Sequence, residues 1–237
     1  MKREFGDRIP NAHELNGLAR KQSVDFAALF FADQLLSLDR NAAVNSHFKM
    51  NLDRVLREET AVVDSDGIAF FLVLGYDYKE DGHLTGADLR SQVAILGSWG
   101  FRVEFVEVDP IGTVLESADV IETALQRLDD ERIVVAGPSS AGPAIHTALT
   151  RLGSGSGVLA WLNLGGTLQG VPLLDWFEKF PQSLVFDVVV WVQDWRHESF
   201  GSLTNRVLRQ RIQELSVPEE IEVFNYISMS LSEDISD

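Results

Sequence analysis

The sequence predicts an α/β protein built on a mostly parallel sheet with helices on both faces. Three observations carry this. From residue 68 onward, short apolar runs alternate with segments of helical period, an order that needs crossover connections and so gives parallel strands. Two of the runs, Ile68 to Leu74 and Ile133 to Ala136, are apolar at every position rather than at alternate ones, as strands covered on both faces must be. Breaks follow the runs at Gly75-Tyr76, at Ser139 and at Gly165-Gly166, and in a parallel sheet these all fall at the carboxyl edge, where such folds bind ligands.

Composition bounds what the fold can do. The chain has 237 residues, 45% of them hydrophobic, enough for one domain with a real core. A formal net charge of −16 would repel nucleic acid and anionic membrane surfaces, which excludes them as principal partners. There is no cysteine, hence no disulfide framework, thiolate nucleophile or Cys-based zinc site. His13 and His47 have no partners at metal-ligand spacing. The spacing Gly137-x4-Gly142 runs into Pro143-Ala144, where a P-loop needs Lys and Ser or Thr, and G-x-G-x-x-G is absent. No cofactor and no metal are expected. The first 21 residues are charged and polar, without the apolar core of a signal peptide, and no apolar run reaches spanning length. The expectation is a cytoplasmic protein without a membrane span.

In chain order, residues about 12 to 57 read as helical, with Asn11 and Glu14 placed to cap the first helix. Val24 to Leu36 carries a broad apolar stripe, and a further helix covers Phe48 to Arg57. Residues 1–60 are therefore expected to form a helical N-terminal extension, and 61–237 the α/β domain. That domain opens with a turn at Asp64 to Gly67 and the strand Ile68 to Leu74. A helix follows from about Ala87 to Trp99, then the strand Phe101 to Val108, a helix from about Val114 to Leu128, the strand at Ile133, and the strand Val158 to Leu164. From about Leu168 to Leu215 lies an apolar, aromatic region containing Trp176, Trp191, Trp195 and Phe200. It includes an amphipathic helix from about Leu203 to Leu215. A last strand covers Ile221 to Met229.

The chemistry centres on Arg132 to Leu149. The strand breaks at Gly137 and resumes as helix from Pro143, with Ser139 and Ser140 in the turn among Gly137, Ala141 and Gly142. Small residues let the backbone turn sharply. A serine there sits beside a helix N-terminus whose free N–H groups favour a developing oxyanion. Without further partners the same stretch is only a tight strand-to-helix turn.

Aligned on Ser139, the stretch reads Gly137-x-Ser139-x-Ala141 and resembles the nucleophile elbow G-x-S-x-G of the α/β-hydrolases, with Ala in place of the last Gly. The order of elements from Ile68 to about Gly170 looks like the central half of that fold. The segment Gly165-Gly166-Thr167-Leu168-Gln169-Gly170 is similar to the segment that leads into a cap in lipase-like members. The resemblance implies Ser139 as nucleophile and the backbone N–H groups of Tyr76 and Ser140 as oxyanion hole. It implies a hydrophobic cap over 168–215 and, as partner, a small apolar ester or acyl ligand. The implied reaction is hydrolysis of a carboxylic ester through an acyl-enzyme. Leu74 stands where the family often has the His of H-G-x.

In that family the acid and then the histidine follow the serine. Glu233 and Asp234 fall in the acid slot, and Asp234 is the candidate. No histidine follows it. Only His146 and His197 come after Ser139. His146 lies seven residues along the elbow's own helix, about two turns away. His197, with Asp194 three residues before it, lies in the cap and serves only if the cap folds over Ser139. Three readings stay open: a hydrolase whose base lies beyond Asp237, a homologue that has lost its triad and binds a ligand or partner, and an enzyme using His197. Apolar faces left bare by a missing last strand would need cover, for which self-association through the N-terminal helices or the sheet edge is one solution.

Overall fold

The computed structural model describes residues 8–57, 65–75, 78–79, 82–86, 88–128, 132–192, 195–229 and 231–232. The chain divides into two compact units, Met1–Val63 with Ser228–Asp237, and Asp64–Ile227.

The first unit holds three helices, α1 (Ala12–Lys21), α2 (Val24–Ser37) and α3 (Asp39–Leu56). Asn11 starts α1 through a reciprocal cap: its Oδ1 accepts the Glu14 N–H at 3.0 Å, and Glu14 Oε2 accepts the Asn11 N–H at 2.9 Å. Ser23 Oγ accepts the Phe26 N–H to start α2. Asp25, in the first turn of α2, accepts both the N–H and the hydroxyl of Ser232, at 3.0 and 2.8 Å. The helix expected over Phe48 to Arg57 is the second half of α3, whose polar first half, Asp39 to His47, offers no apolar period to read.

The second unit is a five-stranded sheet with its crossovers. It runs β1 (Ala69–Val73), α4 (Gly82–Thr85), α5 (Arg90–Ser98), β2 (Arg102–Val106), α6 (Val114–Gln126), β3 (Ile133–Pro138), α7 (Ala141–Leu152), β4 (Val158–Leu164), α8 (Pro172–Phe177), α9 (Gln182–Val192), α10 (His197–Ser202), α11 (Asn205–Glu214) and β5 (Glu222–Tyr226). The strand order is β2-β1-β3-β4-β5, and every neighbouring pair is parallel.

The continuous apolar character of β1 and β3 is explained by two cores, one on each face. Phe71 and Val73 of β1 and Ile133 and Val135 of β3 join Ala118 and Ile121 of α6 and Ile145 and Leu149 of α7 in the larger core. Leu72 and Ala136 face the other way, with Leu89 and, from α5, Val93 and Leu96. Ile121, Ile133, Val135, Ile145 and Leu149 have no exposed surface, and each such side chain stabilises the fold by roughly 1.5–3 kcal/mol. A register shift between Ile133 and Val134 lets Val158 and Trp161, three residues apart, enter the same core. Between β2 and α6 the helix starts at a second reciprocal cap, Thr113 with Glu116.

Candidate active site at the carboxyl edge of the sheet

β3 is the middle strand, and α7 begins three residues after its last one. The turn between them carries Ser139 with a φ of 50°, in the left-handed region where a side chain other than that of glycine crowds its own backbone. The turn holds it there: the Ser139 carbonyl accepts the N–H of Gly142 at 3.2 Å and of Thr167 at 3.1 Å. Ser139 is exposed at the tip, and among the described residues its hydroxyl has no hydrogen-bond partner. The N–H groups of Ser140 and Ala141 likewise find no acceptor there. They are the open donors of the α7 N-terminus, the arrangement that can hold an anionic oxygen.

The small residues around the turn have separate reasons. A Cβ on Gly137 would stand 2.8 Å from Ala141 Cβ and 2.8 Å from Ile145 Cδ1, so this glycine sets how closely β3 and α7 pack. A Cβ on Gly142 would stand 2.8 Å from Gly166 Cα and 2.8 Å from Asn163 Oδ1. A second tight glycine is thus at 142, one residue beyond the position of the pattern, while the Ala141 methyl has room because Gly137 opposite it has no Cβ. Asn163, at the end of β4, donates through Nδ2 to Asn225 Oδ1 at 2.8 Å and so ties β4 to β5 behind the turn.

A narrow crevice opens beside the turn, lined by Leu74 and Gly75 after β1, Asp109 and Pro110 after β2, Ser140, and Leu203. Asp109 escapes sequence reasoning because it follows the least apolar strand, although its place just past the strand end is a usable signal. Its Oδ1 accepts the Ile111 N–H at 3.1 Å, and its Oδ2 lies 3.9 Å from Arg196 Nη1. Arg196 in turn donates to both carboxylate oxygens of Glu116, at 3.1 and 2.9 Å. Those bonds, with the Thr113 cap, hold the Glu116 carboxyl down at about 2. Ser199 Oγ donates to the Ile111 carbonyl, and the Val114 N–H donates to Ser202 Oγ at 3.2 Å. The segment 196–202 is therefore fastened to the β2–α6 connection.

The region expected as a cap consists of α8 to α11. Its root is at Gly170, where a Cβ would stand 2.4 Å from Asn205 Cα, and at Val171, whose N–H donates to the Leu203 carbonyl at 3.0 Å. Between its helices lies a cleft of about 440 Å³ walled by Phe177, Phe186 and Phe200 and bordered by Asp187, His197 and Arg206. Phe186 stacks on Phe177, with ring centres 5.1 Å apart, and meets Phe200 edge-on. His197 borders this cleft. Its Nε2 lies 3.5 Å from Asp187 Oδ1, and its ring meets the edge of Phe186.

Of the residues singled out from the sequence, Ser139 and Ser140 share the turn, and His197 is joined to Asp187 of α9 rather than to the serine. Asp187, ten residues before His197 and on a different helix, could not be singled out by spacing. Tyr76, Asp194 and Asp234 lie outside the described residues. His146 is buried on α7 against Trp161, with ring centres 6.0 Å apart. Burial, and then the Arg211 charge, push its imidazole below the ordinary histidine value. Among the described residues no group of three or more His, Cys, Asp or Glu could hold a metal ion.

A parallel sheet in this order, with an exposed, strained serine at the end of the middle strand and a helix starting at once behind it, defines an α/β-hydrolase-like fold. Comparison with solved structures agrees. The chain is similar to the metagenomic carboxyl esterase MGS0156, with a TM-score of 0.55 and 17% identity over 70% of this chain and 51% of that one. It is also similar to the Bacillus licheniformis lipase BlEst2 in mature form, with a TM-score of 0.51 and 14% identity over 70% of this chain and 66% of that one. The chain thus spans about half the length of the esterase. No protein-family model matches the chain, and no curated protein does. Among the described residues no helix is long and apolar enough to cross a membrane.

Proposed function

We propose that the chain carries the nucleophile of a serine hydrolase acting on carboxylic esters. The observation that carries the proposal is Ser139 itself, exposed and strained at φ 50°, with two N–H donors behind it that find no acceptor among the described residues. Strain of this kind is kept where the surroundings over-determine it, commonly at reactive sites. In the proposed reaction the Ser139 oxygen attacks the ester carbonyl as its proton passes to the base. The carbonyl oxygen, now anionic, is held by the Ser140 N–H and by the N–H of Tyr76. The alcohol leaves with the proton, and water releases the acid from Ser139 in a second step. The phenylalanine-walled cleft of the cap suits an acyl chain. His197 is the base of this proposal, and reaching Ser139 requires the cap to close over the turn. The acid role of Asp234 and the donor role of Tyr76 rest on the sequence pattern.

One observation favours a second reading, a catalytically impaired homologue that binds an ester or acyl ligand: His197 is engaged with Asp187, not with Ser139. Loss of a triad base leaves only a small residual rate. Intact-mass analysis after incubation with a fluorophosphonate separates the two. The enzyme reading expects a single adduct that is absent in Ser139→Ala and slowed or lost in His197→Ala. A folded protein that takes no adduct refutes it and leaves the binding reading.

A further inference from the structure

Helix α9 is apolar on both of its sides. Ser183, Phe186 and Asp187 border the cleft, and with Val190, which is 2% exposed, they form the inward stripe at i, i+3, i+4 and i+7. The only charge on the helix, Asp187, sits at the border of the cleft with its side chain 58% exposed. The outward side is Leu184, Val185, Val188, Val189, Trp191 and Val192, all exposed, with Trp191 at 81%. Side chains of this size at these exposures leave roughly 700 Å² of continuous apolar surface, more than the few hundred Å² of the usual largest patch on a monomer.

We propose that this face is covered by the same face of a second copy of the chain. Three features select that occupant. The area is close to the roughly 800 Å² per partner that a standard stable interface buries. The formal charge of −16 makes two copies repel over most of their surface, and a charge-free face is where they can meet. A lipid surface is disfavoured because helices that lie on membranes present Lys and Arg on their polar side, and α9 has neither. Val185, Val188 and Val192, at i, i+3 and i+7, form a short β-branched ridge that lets two helices approach to about 8–10 Å. A twofold axis near Val188 makes the contact self-complementary. This interface differs from the N-terminal helices and the sheet edge suggested by the sequence, and it is independent of whether Ser139 is reactive.

The test is sedimentation equilibrium of the full chain across the micromolar range, with Val188→Lys, Val188→Glu and an equimolar mixture of the two. Val188 is 58% exposed, so both variants should fold, which circular dichroism checks. The wild type should sediment at twice 26.4 kDa. Each variant alone should dissociate about 100-fold more readily, because a like charge meets itself across the axis. The mixture should restore the dimer. A monomeric wild type overturns the proposal, and flotation of that monomer with zwitterionic phosphatidylcholine vesicles would assign the face to lipid instead. A dimer unaffected by either charge overturns it too, placing the interface elsewhere. Dissociation by both charges without restoration in the mixture also overturns the twofold α9 pairing.

Discussion

At Ser139 the usual ranking of glycine and alanine should invert. Inside regular structure glycine is less stable than alanine by about 0.5–1 kcal/mol, because it loses more freedom on folding. At a φ of 50° any Cβ crowds its own backbone, which costs about 1–2 kcal/mol that glycine does not suffer. Subtracting the first from the second leaves Ser139→Gly about 1 kcal/mol more stable than Ser139→Ala. In a chain of this size that corresponds to roughly 2–4 °C in Tm. Neither variant has a hydroxyl, so chemistry does not confound the comparison. Gly97 supplies the opposite sign in the same unit: it lies in α5 with nothing within 4 Å of its would-be Cβ, and Gly97→Ala should raise stability by about 0.4–1 kcal/mol. The assay is urea unfolding followed by tryptophan emission, to which buried Trp161 contributes. If Ser139→Ala matches or exceeds Ser139→Gly, the turn is not strained, and the main support for a reactive serine is gone.

Other outcomes follow from neighbouring residues. Gly137→Ala puts a methyl 2.8 Å from both Ala141 and Ile145 and should destabilise by about 1–3 kcal/mol in the same assay, with slower fluorophosphonate labelling as α7 is pushed away. His146 is held below its ordinary 6.5 by burial, so the unfolded chain takes up the proton first. Its contribution should be intact above pH 6.5 and lost as the pH falls through the lower folded value. His146→Phe, which keeps a ring on Trp161, should flatten that dependence in unfolding measured from pH 5 to 8. Glu116 should titrate near 2 by NMR in the native chain and move up toward the usual carboxylate range in Arg196→Ala. Stability linked to this pair is present above the ordinary glutamate value and lost as pH falls toward 2.

What the sequence disclosed, and what it hid, follow from the range of the interactions involved. Strand β4 is read correctly at both ends because Val158 to Leu164 is an apolar run closed by Gly157 and Gly165. The turn at Ser139 is legible because its glycines and its serine are adjacent in sequence. The middle of the cap is not: Val188 to Val192, five apolar residues in a row, carries no helical period because its outward face is as apolar as its inward one. The β1–α5 connection is read only as a polar loop, since the four-residue α4 is too short to show a period. The pairings of Asp187 and Asp109 escape sequence reading for a different reason. Each aspartate acquires its neighbour, His197 or Arg196, through folding over ten residues or many more, and no local pattern encodes such a meeting.

The central position of β3 has a consequence for how the molecule breathes. Its amides and carbonyls are laddered to β1 on one side and β4 on the other, so its hydrogens should exchange with solvent only when the whole sheet comes apart. Helices α8 and α9 have few buried side chains, and their amides should exchange through small, frequent openings. Ser139 therefore follows directly on the slowest-exchanging element, while α8 and α9, which wall the cleft, belong to a much faster one. Helices α8 and α9 can open and close many times over without the serine losing its place.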